Sequence, residues 1–226
     1  MSNLYVESPY HGPVREGVTT VAGRSIRLIR PAEPDRLLED PEIAAFNEKD
    51  DYMPYWGYLW PGAFLLGEAL AAGNWPEGTR ALEIGCGLGL TGLVAVAMGF
   101  EVCFTDHDRT PLRFVERSAQ ANGFDPATYS TALLDWREPP AERYPLILGA
   151  DVTYERRLIP LVAGVLAAML TPDGVALISD PGRSPAEGFA ATLAGFDLRC
   201  ESQAARAESE ELGPLKGTIY RVTRKG

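Results

Sequence analysis

The sequence predicts an α/β fold in which helices cover both faces of a mostly parallel sheet. From residue 80 onward, short apolar runs alternate with segments of helical period, and the first run passes directly into a glycine-rich turn. An alternation of this kind is typical of βα units, whose strands are buried on both faces. With 226 residues and a hydrophobic fraction of 46%, the chain is long enough to bury one such core.

Four short apolar runs are predicted as the core strands. They lie at residues 81–84, 102–104, 146–148 and 175–178. The helix after the first strand has an apolar stripe from Leu90 to Ala97 and should end at Gly99. The next helix should have Thr110 as its N-cap and end at Gly123. A third helix is expected at 158–169, followed by a turn at 171–174.

The two ends of the chain have their own patterns. Residues 18–21 and 25–29 flank a turn at 22–24 and predict a β-hairpin, while residues 55–72 predict a helix before the first core strand. Residues 204–213 are polar and are expected to be a surface connection before a strand at 218–222. We therefore expect an N-terminal extension at 1–54 and one main domain at 55–226.

The composition narrows the functional class. Asp and Glu outnumber Lys and Arg by 31 to 21, giving a formal charge of −10 that argues against binding nucleic acid. The three cysteines have no metal-ligand spacing, so we expect no metal site and a reducing compartment. With neither a signal-peptide pattern nor a long apolar run, a cytoplasmic protein without membrane contact is expected.

The glycine-rich turn at 83–89 carries the densest signal in the chain. Gly85, Gly87 and Gly89 follow the first strand, where glycine lets the backbone turn sharply and approach a ligand. Dinucleotide-binding dehydrogenases have GxGxxG at this place. Here the pattern is GxGxG, and Glu83 would repel a pyrophosphate but suits the ammonium group of an amino acid.

Two more acidic residues follow later strands. Asp106 lies 21 residues after the first loop glycine, where a carboxylate can accept hydrogen bonds from a ribose diol, with a helix cap as the alternative role and Asp108 as the alternative acid. Asp135 could accept from an adenine amino group while Trp136 packs near the base, or the pair could be a turn and a core residue. Together with Glu83 these acids describe S-adenosylmethionine.

These features resemble the seven-β-strand methyltransferases, and within them the protein lysine methyltransferases with a DxxY motif. The resemblance covers residues 18–222. It rests on the aromatic segment 55–62 (YWGYLWPG), the glycine loop, Asp135-Trp136 and the segment 149–154 (GADVTY). The Trp-Pro-Gly stretch is most similar to the branch that contains the electron-transfer-flavoprotein β-subunit lysine methyltransferase and its bacterial relatives.

The resemblance implies a Rossmann-like seven-stranded sheet in the order 3-2-1-4-5-7-6, with the last strand antiparallel. It also implies an S-adenosyl-L-methionine site, which with the acids above comprises Trp60, Glu83, Gly85, Cys86, Gly87, Gly89, Asp106, His107, Asp135, Trp136 and Ala150. His107 has a structural role as its alternative. The other aromatics of the segment, Trp56 and Tyr58, could equally be core residues.

The resemblance places Asp151 and Tyr154 at the methyl acceptor. Asp151 would orient a substrate amine and Tyr154 would line its channel, although Asp151 could instead cap a helix beginning near Glu155. Methyl transfer needs alignment more than an enzyme nucleophile. The expected function is methylation of a protein lysine, with a small-molecule N- or O-methyltransferase and a non-catalytic cofactor-binding regulator as alternatives.

Overall fold

A computed structural model describes residues 10–39, 41–50, 52–182 and 188–226. Nine strands lie in these ranges: β1 Val14–Val21, β2 Arg24–Pro31, β3 Arg80–Glu83, β4 Glu101–Asp106, β5 Tyr129–Leu133, β6 Tyr144–Ala150, β7 Leu170–Asp180, β8 Leu198–Ser209 and β9 Gly213–Arg224. The α-helices in these ranges are α1 Pro41–Asp50, α2 Pro61–Ala71, α3 Leu90–Ala97, α4 Arg109–Ala121, α5 Ile159–Met169 and α6 Phe189–Ala194.

The strands from β3 onward form one seven-stranded sheet in the order β5-β4-β3-β6-β7-β9-β8. Counted from β3, this is the predicted order 3-2-1-4-5-7-6. The pairs from β5 to β7 are parallel, and β9 runs antiparallel to both of its neighbours. The predicted α/β fold is therefore confirmed. The carboxyl ends of the parallel strands meet at one edge of the sheet, where a ligand site is expected.

The predicted hairpin is present as β1 and β2, which form a two-stranded sheet of their own. Ile26 and Leu28 are buried in the main hydrophobic cluster together with residues of α2 and α3. The backbone N–H of Ile29 donates to Ser118 Oγ on α4 at 2.9 Å, and Asn122 Nδ2 donates to the Arg27 carbonyl at 2.7 Å. The hairpin thus shares the core of the main sheet; the domain boundary at 54/55 stays a prediction.

Two predicted helix starts were wrong. The N-cap of α4 is Asp108, whose carboxylate accepts from the Thr110 N–H at 2.8 Å, so Thr110 already lies in the first turn. The helix predicted within 55–72 begins only at Pro61, after a short 3-10 turn at Tyr55–Gly57. Trp60 is extended because the ring of a following proline disfavours helical backbone.

Two segments that were predicted as connections lie within strands in the structure. Residues 204–209, expected in a surface connection, continue β8 and pair with β9. Their buried face has the small residues Ala207 and Ser209, which give a weak hydrophobic signal. The turn predicted at 171–174 lies within β7, at an irregularity between the pairs Tyr144–Leu170 and Leu146–Val175. Among the described residues, no helix is both long and apolar enough to cross a membrane.

Candidate active site

A cavity of about 830 Å³ opens at the carboxyl ends of β3, β4 and β6. All of the residues predicted for the site line it: Trp60, Glu83, Gly85, Cys86, Gly87, Gly89, Asp106, His107, Asp135, Trp136, Ala150, Asp151 and Tyr154. The topology explains this convergence for all of them except Trp60, which precedes α2, because the others lie at or after the ends of parallel strands that share one edge. Their individual roles stay predictions.

The glycine loop between β3 and α3 has a backbone that favours glycine. Gly85, Gly87 and Gly89 all have positive φ, between 50° and 71°. A Cβ at Gly89 would come within 2.7 Å of Val115 Cγ2, and one at Gly85 within 3.0 Å of the Trp136 ring. The loop can therefore approach its neighbours only because side chains are missing.

Glu83 is almost completely buried at the end of β3, with an exposed fraction of 2%. Its Oε2 accepts from the backbone N–H of Gly92 in the first turn of α3 at 3.1 Å. Burial raises the pKa of Glu83 to about 8, and the neighbouring Asp106 carboxylate adds to the effect. This carboxyl is therefore mostly protonated at neutral pH until a cation approaches it.

Asp106, the last residue of β4, binds the backbone of the glycine loop. Its Oδ2 accepts from the Gly87 N–H at 3.0 Å and its Oδ1 from the Asp108 N–H at 3.1 Å. Burial raises the pKa of Asp106 to about 6. Asp108, the alternative acid, does not line the cavity, because it caps α4 and accepts from the Tyr52 hydroxyl at 2.5 Å.

Asp135 is held by an arginine that the sequence analysis did not identify. Arg137 Nε donates to both Asp135 oxygens, at 2.8 and 3.0 Å, and its Nη2 donates at 2.6 Å. These hydrogen bonds hold the pKa of Asp135 below its usual range. Arg137 also lines the cavity, so any adenine contact of Asp135 would form beside a guanidinium group. The sequence signal that could have identified Arg137 is its position two residues after Asp135, within reach of that carboxylate.

Asp151 follows β6 in a left-handed conformation with φ of +58°. The predicted alternative, a cap on the following helix, was wrong, because α5 begins at Ile159 with Leu158 as its N-cap. Asp151 Oδ2 instead accepts from the Gly62 N–H at 2.6 Å, in the first turn of α2. No local sequence pattern indicates this contact, which joins residues 89 positions apart.

Aromatic side chains form one wall of the cavity. The Tyr55 and Tyr154 rings meet edge to face with centroids 5.3 Å apart, and Tyr55 has a similar contact with Trp60 at 5.8 Å. Trp60 Nε1 donates to the Tyr55 carbonyl at 2.8 Å. Trp56 and Tyr58 also line the cavity: Trp56 is buried against Phe114, and Tyr58 lies beside Trp60. The wall thus joins the segment before α2 to the loop after β6.

Cys86 is the cysteine of the cavity, and its environment makes it a poor nucleophile. Burial raises the pKa of its thiol, and the carboxylates of Asp106 and Glu83 raise it further. A protonated thiol reacts slowly. Cys86 therefore lines the cavity as part of the glycine loop and is not expected to act as a nucleophile.

Comparison with protein families decides the class of this fold and cavity. A family model described as lysine methyltransferase matches residues 56–189, which is more than half of the chain. The chain belongs to the lysine methyltransferase family. The match begins at Trp56, in the aromatic segment, and includes the glycine loop, Asp135 and the Asp151–Tyr154 segment.

Known relatives agree with the family. Protein N-lysine methyltransferase METTL21A of Danio rerio is 33% identical over 129 residues, covering 54% of this chain and 58% of the relative. EEF1A lysine methyltransferase 3 of Mus musculus is 26% identical over 130 residues, covering 56% of each. The chain thus spans little more than half the length of these relatives.

Solved structures share the fold. A TehB-like SAM-dependent methyltransferase of Corynebacterium glutamicum has a TM-score of 0.56 at 19% identity, covering 87% of this chain and 100% of that chain. The 16S rRNA methyltransferase RsmC of T. Thermophilus, in complex with AdoMet and guanosine, has a TM-score of 0.59 at 16% identity, covering 96% and 52%. The fold is that of S-adenosylmethionine-dependent methyltransferases, as predicted.

Proposed function

We propose that this protein uses S-adenosylmethionine to methylate a lysine side chain of another protein. The observation that carries the proposal is one cavity lined both by the strand-end acids Glu83, Asp106 and Asp135 and by the Asp151–Tyr154 segment. A cofactor and an acceptor would meet in this space. The relatives METTL21A and EEF1A lysine methyltransferase 3 are lysine methyltransferases, which supports the same substrate class.

The chemistry of the donors fits this cofactor. Glu83 would bind the cofactor ammonium, and the Asp106 carboxylate, which uses one lone pair of each oxygen for a backbone N–H, keeps capacity for a ribose diol. Asp135 and Trp136 would hold the adenine. Bound S-adenosylmethionine supplies an activated methyl group on a positively charged sulfur.

The acceptor would enter along the aromatic wall. Asp151 would bind and orient the lysine ammonium, and Tyr55 and Tyr154 would guide its aliphatic stem. The amine must lose a proton before it attacks; a new N–C bond then forms as the S–C bond breaks, and the proton passes to solvent. Alignment of the amine with the methyl group is the main demand on the protein.

The experiment is incubation of the protein with methyl-labelled S-adenosylmethionine and a whole-cell extract, followed by separation of proteins from small molecules. Hydrolysis of the labelled protein fraction should release methylated lysine, and Asp106→Ala should abolish most of the labelling. Label in the small-molecule fraction would favour the alternative N- or O-methyltransferase. Tight cofactor binding without any transfer would favour the regulatory alternative. We further propose a cytoplasmic location, which fractionation would test.

A further inference from the structure

Gly62, Asp151 and Ser179 form a closed hydrogen-bonded triangle, of which Asp151 lines the cavity and the other two residues do not. The Gly62 N–H donates to Asp151 Oδ2 at 2.6 Å, the Asp151 N–H donates to the Ser179 carbonyl at 3.1 Å, and Ser179 Oγ donates to the Gly62 carbonyl at 2.8 Å. Ser179 is completely buried and Asp151 is 7% exposed. The triangle links α2, the loop after β6, and β7.

The triangle accounts for the unusual backbone of Asp151. Non-glycine residues are uncommon in the left-handed region, although aspartate adopts it more readily than most, and the hydrogen bonds of the triangle hold Asp151 there. The Asp151 N–H extends the β6–β7 ladder one residue beyond the pair Ala150–Ser179. The carboxylate satisfies an N–H of the first turn of α2, which has no partner within its own helix. The backbone of Asp151 is thus held by β7 and its side chain by α2.

The same contacts explain a glycine at position 62. A Cβ there would collide with Asp151 Oδ2 and come within 2.8 Å of Ser179 Oγ. Pro61 begins α2 and favours the helical backbone of the first turn, in which the Gly62 N–H donates to the carboxylate. In the Trp60-Pro61-Gly62 segment, Trp60 lines the cavity while Gly62 contacts Asp151 behind it.

We propose that Gly62 and Ser179 are positioning residues, which act through Asp151 to align the acceptor amine with the methyl group. This inference rests on the proposed function. Ser179 is absent from the cavity lining, so it would act on the reaction without touching either substrate. Because the reaction depends on alignment, a small displacement of Asp151 should lower the rate much more than cofactor affinity.

The test is Ser179→Ala, with Ser118→Ala as the matched control. Ser118 is another completely buried serine whose hydroxyl bonds distant backbone, that of Ile29, and it lies on α4 away from Asp151. With a whole-cell extract and saturating labelled S-adenosylmethionine, Ser179→Ala should lower the initial rate on the order of ten- to hundredfold, with the cofactor Kd changed by less than about threefold. Ser118→Ala should leave the rate near that of the wild type.

Two further measurements separate positioning from a structural role. If Ser179 acts through Asp151, Ser179→Ala should add little loss of rate in an Asp151→Asn background. Multiplicative losses, or a rate for Ser179→Ala equal to that of Ser118→Ala, would overturn the proposal. Gly62→Ala is the second variant, and it should also lower the rate of methyl transfer. A rate equal to that of the wild type would count against the positioning role of the triangle.

Hydrogen exchange tests the triangle even if the proposed function fails. The Gly62 amide should exchange faster in Ser179→Ala than in the wild type, whereas Ser118→Ala should leave it unchanged. If the wild type transfers no label to protein, the proposed function fails, and exchange alone decides whether Ser179 holds Gly62. Unchanged exchange in Ser179→Ala would overturn the coupling itself.

Discussion

Replacing Glu83 with glutamine should stabilise the cofactor-free protein by an amount that grows with pH. Burial raises the pKa of Glu83 from 4.5 to about 8, so at neutral pH the folded protein keeps this carboxyl protonated while the unfolded chain releases the proton. As the pH rises from 4.5 towards 8, the unfolded state is therefore increasingly favoured. Glutamine does not ionise and keeps an oxygen that can accept from Gly92.

The interval between the two pKa values sets the size of the effect. One pKa unit corresponds to about 1.4 kcal/mol, so the loss that glutamine removes is roughly 3 kcal/mol at pH 7 and roughly 4–5 kcal/mol above pH 8. Well below pH 4.5 the loss vanishes, because both states then hold the proton. The stability gain of the Glu83→Gln variant should therefore be small in mild acid and large in mild base.

Urea unfolding near pH 5 and near pH 8 measures this difference. Glu68→Gln is the control, since the Glu68 carboxylate also accepts a backbone N–H, from Ala22 at 2.7 Å, but lies outside the cavity. The Glu83→Gln variant should also bind S-adenosylmethionine more weakly than the wild type, because glutamine offers no negative charge to the ammonium group. A stability difference between the wild type and Glu83→Gln that is equal at both pH values would refute the reasoning.

Substitutions at four other positions test the assigned roles. Asp106→Ala should weaken S-adenosylmethionine binding by on the order of 1.5–3 kcal/mol in calorimetry, whereas Asp108→Ala should lower the free energy of unfolding by about 1 kcal/mol through loss of the α4 cap. Asp151→Asn should keep cofactor affinity but lower methyl transfer severely; a rate near the wild type would remove Asp151 from the acceptor site. Tyr154→Phe should keep most of the rate, while Tyr154→Ala, which removes the ring packed on Tyr55, should lose on the order of tenfold or more.

The position of the site could be predicted because parallel strands impose it. Glu83, Asp106, Asp135 and Asp151 each lie at or just after a strand end, so the βα alternation alone placed them at one edge. Their partners were less accessible to sequence reasoning. The Gly62–Asp151 contact joins residues 89 positions apart, and nothing local in either segment indicates the other.

Errors in the predicted elements have local physical causes. Asp108 is at least as good an N-cap as Thr110, and the sequence pattern could not decide between them because both precede the same apolar face. The strand β8 was missed because its inward positions near Ala207 are small, so period-two alternation has little hydrophobic contrast. In both cases contacts in the folded protein decide the outcome. Asp108 is the cap because its carboxylate accepts from the Thr110 N–H, and residues 204–209 form a strand because they pair with β9.

The acidic character of the cavity distinguishes this site from a dinucleotide site with a similar loop. Burial raises the pKa of both Glu83 and Asp106, so the protein without a ligand is least stable with both groups ionised. A cation bound at Glu83 would stabilise the ionised forms, while a pyrophosphate would add to the repulsion. S-adenosylmethionine has an ammonium and a sulfonium, whereas a dinucleotide presents two phosphates at this loop. The electrostatic cost of ionising Glu83 and Asp106 is thus lowered by the one class of ligand and raised by the other.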